Sequence, residues 1–105
     1  MEVEHWNDAR DGALSEAAMA RKLAARGYRV SRYVYPPGTV FPEHSHAVDK
    51  IDAVLQGRFR LCLAGRCVVL AAGDCIAVPA GMAHSAEVVG DEAVVSLDAV
   101  RAPGG

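Results

Sequence analysis

His44 and His46 stand one residue apart, and a third histidine, His84, lies further along in its own proline- and glycine-marked stretch. On an extended strand, residues i and i+2 point to the same face, so His44 and His46 would present two imidazoles side by side. A third imidazole from a neighbouring strand would complete a three-nitrogen face, which suits a divalent transition metal. The chain has 4 histidines, and the remaining one, His5, lies near the amino end. The candidate chemistry is therefore concentrated in two punctuated segments.

Short strands must position these rings. From Tyr28 onward the apolar period is two. Tyr28–Tyr35 is rich in β-formers and ends at the turn signal Pro36-Pro37-Gly38. Ile51–Gln56 is short and apolar, and Gly57 then turns the chain into Arg58–Leu63, where Phe59, Leu61 and Leu63 alternate with Arg58, Arg60 and Cys62. Gly65-Arg66 predicts a second hairpin turn into Cys67–Ala71, and Gly73-Asp74 a third into Cys75–Val78. Met82–Val89 and Ala93–Val100 read as the last strands. Short strands with turns at this spacing indicate a sandwich or barrel. One helix is expected over residues 13–26, with Ser15 as N-cap and Gly27 just past its end. Met19 and Leu23 share its apolar face. Trp6 would staple the amino segment to the β domain.

Composition sets the class. With 105 residues the chain is one domain. Its hydrophobic fraction is 51% with only 6% aromatic, so the core must be mainly aliphatic. A net charge of −2 gives no basic footprint for nucleic acid. No apolar run reaches the length of a membrane span. The acidic amino end is unlike a secretory signal, so a cytoplasmic location is expected. Cys62, Cys67 and Cys75 show neither a disulfide framework nor a zinc spacing and read as free thiols in the core, with Cys75 as a minor candidate metal ligand.

The segment Gly38-Thr-Val-Phe-Pro-Glu-His44-Ser-His46, continuing through Lys50 to Gly57, resembles the first cupin motif. Gly73-Asp-Cys-Ile-Ala-Val-Pro79-Ala-Gly81-Met-Ala-His84 resembles the second. The resemblance implies a mainly β fold, a small cupin jelly-roll β-barrel with one N-terminal α-helix. Residues 1–28 would form a helical segment packed on the barrel, residues 29–101 the barrel, and residues 102–105 a frayed tail. It implies a divalent transition metal (Fe, Mn, Ni or Zn) on His44, His46 and His84, and a homodimer.

Two positions depart from the motifs. Lys50 stands where the family places its glutamate ligand, and Val88 stands where asparagine is usual. A lysine beside a divalent ion is costly, about 5 kcal/mol at ~6 Å and an effective dielectric near 20. Three arrangements follow: three neutral histidines with open metal positions, Asp52 recruited as a fourth ligand, or a Lys50–Asp52 pair in place of the metal. Asp49 is the other nearby carboxylate, but strand parity favours Asp52. Tyr33, Tyr35 and Arg60 are further candidates for lining a substrate pocket, with Lys50 pairing to an anionic group. Glu43 and Glu87 could orient an imidazole. The expected function is a metal-dependent enzyme on a small chelating or anionic substrate, dioxygenase-like (an oxidoreductase) or isomerase- or lyase-like. The alternative is a non-catalytic small-molecule-binding or sensor protein.

Overall fold

The computed structural model describes residues 2–101. Among these residues nine strands form two antiparallel sheets. The strands are β1 (Val3–His5), β2 (Tyr28–Tyr35), β3 (Val40–His44), β4 (Lys50–Gln56), β5 (Arg58–Leu63), β6 (Arg66–Leu70), β7 (Asp74–Val78), β8 (His84–Val89) and β9 (Val94–Arg101). Sheet order is β1-β7-β4-β9-β2 in one layer and β3-β8-β5-β6 in the other. No ladder joins the layers among the described residues, so the expected closed barrel is an open two-sheet sandwich. The tail at 102–105 lies outside the described residues.

Side-chain alternation builds two cores. Val54, Phe59, Leu61, Ile76, Val78 and Val94 meet between the sheets. On the outer face of the five-stranded sheet, Ile51, Ala53, Cys75, Leu97 and Ala99 pack against Met19 and Leu23. β4 is thus covered on both faces, which is why its middle, Ala53-Val54-Leu55, is continuously apolar. The helix carrying Met19 and Leu23 is α2 (Glu16–Ala25), and the Ser15 hydroxyl accepts from Ala18 N–H as the expected N-cap. A second short helix, α1 (Asp8–Asp11), and the strand β1 were not expected. Both lie in the amino segment, and β1 extends the sheet itself by pairing with β7. Trp6 does act as a staple: it packs in the helix-side core, and its indole N–H donates to Gly12 O at 2.8 Å.

The cysteine reading is corrected. Cys62 and Cys67 form a disulfide across the β5–β6 hairpin. A turn centred on Gly65-Arg66 would set Cys67 against Ala64. The turn is instead Ala64-Gly65, with φ of 53° and 75°, and this shift of one residue makes Cys62 and Cys67 register partners. Cytosolic thiols would reduce such a bond, so the expected cytoplasmic location is the condition under which the hairpin would be unstapled. Cys75 is free and buried beneath α2, with Glu4 Oε1 3.8 Å away. Burial pushes its thiol up to about 11, and its side of the sheet faces away from the histidines.

Candidate metal centre

His44 ends β3, and its register partner on β8 is His84. His46 lies beyond the strand, so the i, i+2 argument does not hold for it. Its loop is tied down from the other motif instead. The Gly81 N–H donates to His46 O at 2.8 Å, and the Ala80 N–H donates to Asp49 Oδ1 at 2.8 Å. Pro79 O accepts from Met82 N–H at 3.1 Å and closes that turn. The two glycine-marked segments therefore brace one another, and the three rings converge with centroid separations of 4.8, 4.3 and 5.1 Å. One ligand atom from each lies within 4.8 Å of the other two.

The protonation pattern suits coordination. His44 Nδ1 lies 2.6 Å from Pro42 O, and His84 Nδ1 lies 2.9 Å from Met82 O. A carbonyl only accepts, so each Nδ1 carries the proton and each Nε2 keeps a free lone pair. This is the usual outer support of a metal-bound imidazole. His46 Nε2 is buried and has no hydrogen-bond partner among the described residues. Burial, then the charge of Lys50, then the neighbouring rings lower its pKa, which favours the neutral ring. An orphaned ring nitrogen beside two oriented ones is a donor set that a divalent transition ion would satisfy. The residues fit the group.

These rings line a pocket of about 390 Å³. Lys50, Asp52 and Asp98 share the inward face of β4 and β9 at the same pocket. Asp52 and Asp98 are direct register partners. Lys50 does not pair with Asp52, as one expected arrangement had it: its Nζ lies 2.9 Å from Asp98 Oδ1. This is an ion pair by distance, without hydrogen-bond alignment. Burial pushes Asp52 up to about 6, with Lys50 pulling it down and Asp98 pushing it up. The three histidines form the cluster of converging donor atoms; Asp52 lines the same pocket outside that cluster, in register with Asp98.

Tyr33 and Tyr35 both line the pocket, as expected for a shared face. Burial, then the two aspartates, push the Tyr35 phenol up to about 12. Arg60 does not reach the site: it lies on the outward face of β5, with Glu87 Oε1 3.5 Å from its Nη1. Glu87 is thereby occupied, and Glu43 is exposed, so neither orients an imidazole. Asp49 braces the His46 loop and faces Arg101 at 3.9 Å. Asp98, Phe41 and Phe59 were missed in the sequence. Asp98 carried a signal, being a charge inside the apolar run Val94–Val100.

Comparison with known proteins agrees with this fold. The chain superposes on a conserved protein of unknown function from Streptococcus pyogenes with TM-score 0.66 and 24% identity, covering 75% of this chain and 68% of that one. A Cupin 2 conserved barrel domain protein from Salinispora arenicola matches with TM-score 0.65 and 26% identity, over 73% and 65% of the two chains. The DMSP lyase DddQ from Ruegeria pomeroyi matches with TM-score 0.61 and 26% identity, over 71% of this chain but 39% of that one. No protein of curated function matches the sequence. The profile of the Cupin_2 family, described as a cupin domain, matches residues 31–100. That match runs from β2 through β9 and takes in all three converging rings, and the chain belongs to the cupin family.

Proposed function

We propose that the chain is a metal-dependent enzyme acting on a small chelating substrate, of lyase, isomerase or dioxygenase type. The observation that carries this reading is the buried, unpartnered Nε2 of His46 beside two imidazoles whose Nδ1 protons are already engaged. A divalent ion held there would act as a Lewis acid on a coordinated donor atom. The protein's own residues do the rest. Backbone carbonyls fix the ring tautomers, the Tyr35, Phe41 and Phe59 rings form an apolar wall, and the Lys50–Asp98 pair fixes charge at the inner face. The same fold in a protein described as a lyase supports a catalytic use of it.

A second reading, a non-catalytic small-molecule binder, is favoured by Lys50 at the position of the family's carboxylate ligand, already neutralised by Asp98. The free β2 edge, with Tyr33 and Val34 exposed, supports the homodimer that belongs to either reading; sedimentation tests it. Elemental analysis after anaerobic reconstitution with Fe(II), Mn, Ni or Zn tests the metal centre. Stoichiometric metal that disappears in His44→Ala is expected, and no metal in the wild type overturns it. Turnover of chelating substrates by the loaded protein, with none by the stripped protein, separates enzyme from binder.

A further inference from the structure

The pocket's charge balance is opposite to what Lys50 alone suggests. Two carboxylates, Asp52 and Asp98, face one ammonium, and Asp98 Oδ1 is fully buried with no hydrogen bond among the described residues. Like charges directly opposite on adjacent strands are unfavourable. Yet Asp52 and Asp98 occupy such a pair on the inward face, which they share with the apolar Val54, Ile76 and Val78. Beside them stands an aromatic group: Tyr35 lies 4.9 Å from Phe41 and 5.5 Å from Phe59, centroid to centroid. Carboxylates next to aromatic rings in a cavity attract a cation, through charge and through the ring quadrupoles. An anion would meet two carboxylates there, with Lys50 already engaged.

We propose that this pocket takes a small zwitterion, its ammonium-type group held against Asp52 and Asp98 beside the aromatic rings and its anionic donor directed at the three histidines. The orientation of the anionic end rests on the metal reading; the cation preference does not.

Glycine betaine and 3,3-dimethylbutanoate have nearly the same shape and carboxylate and differ in the charge of the bulky head. Their affinities are measured by calorimetry at pH 8, in EDTA-treated and in metal-loaded protein. Betaine is expected to bind at least about tenfold more tightly in both forms. Asp98→Asn, a near-isosteric change, should erase that preference. Equal or tighter binding of 3,3-dimethylbutanoate, no binding of betaine at millimolar concentration, or a preference untouched by Asp98→Asn overturns the proposal. Elemental analysis of the same samples keeps the two readings apart. A wild type that takes up no metal yet prefers betaine refutes the metal centre and upholds the cation site. A metal-loaded wild type without the preference does the reverse.

Discussion

Replacing Lys50 with methionine removes the ammonium that faces Asp52 and Asp98, and the cost must depend on pH. At 2.9 Å the Lys50–Asp98 attraction is about 6 kcal/mol at an effective dielectric of 20. The side chains retain 12% and 21% exposure, so water weakens this figure. Removing one partner of a buried pair costs about 3–5 kcal/mol, and the apolar body of methionine returns part of it by packing. We expect a loss of about 2–3 kcal/mol at pH 8. Asp52 supplies the sign of the pH dependence. Its folded pKa, about 6, is raised above the unfolded value of 3.8. Its contribution to stability is therefore fully present below pH ~4 and is lost as pH rises through 6. Lys50 pulls that pKa down, so without it the carboxyl holds its proton still more tightly and the loss deepens above pH 6. At pH 4.5, where the Asp52 carboxyl is largely protonated, the cost should fall to about 1 kcal/mol. Urea unfolding of both proteins in EDTA at pH 4.5 and pH 8 measures this. Equal costs at the two pH values, or a gain at pH 8, would refute Lys50 as the counter-ion of the pair.

Three further perturbations test the frame around the site. Asp49→Ala removes the acceptor of the Ala80 N–H and frees the His46 loop; metal affinity should fall several-fold while urea stability changes by less than about 1 kcal/mol, as competition with a chelating dye will show. Gly57→Ala places a Cβ 2.5 Å from Ala93 O at φ +82°, so the melting temperature should drop by roughly 8 °C or more in a calorimetric scan. Glu4 is held down at about 2, against an ordinary 4.5, chiefly by the Arg26 guanidinium. Its contribution is present above pH 4.5 and lost as pH falls towards 2, and Glu4→Gln should remove about 1 kcal/mol of that acid dependence after solvent screening, read by unfolding at pH 6 and pH 3.

The histidine trio and the helix with its Ser15 cap were legible because each rests on local chemistry: residue type, spacing, and glycine or proline punctuation. What was hidden depends on register and on chain segments distant in sequence. The disulfide turned on whether the hairpin bends at Ala64-Gly65 or one residue later. β1 has only three residues, and it is stabilised by pairing with β7, some seventy positions away. The partner of Lys50 was misassigned because parity along β4 pointed to Asp52, whereas Asp98 comes from the adjacent β9. Convergence of His46 was anticipated for a different reason from the one that holds: it leaves the strand and is carried inward by the Gly81 and Asp49 contacts.

The inward face of the five-stranded sheet shows where stability gives way to chemistry. Val54, Ile76, Val78 and Val94 follow the apolar pattern, and then Lys50, Asp52 and Asp98 break it together at one place. A fold selected only for stability would fill these positions with aliphatic residues, since a raised Asp52 and a buried, misaligned Asp98 oxygen both cost free energy. Sequences that specify one structure tend to violate local rules where function demands it. Here the violation borders three imidazoles with free lone pairs. The charged trio and the histidines are therefore two halves of one site: one half offers nitrogen donors to a metal, and the other offers fixed negative charge to whatever lies beside it. Either half alone would be a costly defect in an aliphatic core. Together they account for why a pocket walled by Tyr35, Phe41 and Phe59 also carries imidazoles, carboxylates and an ammonium.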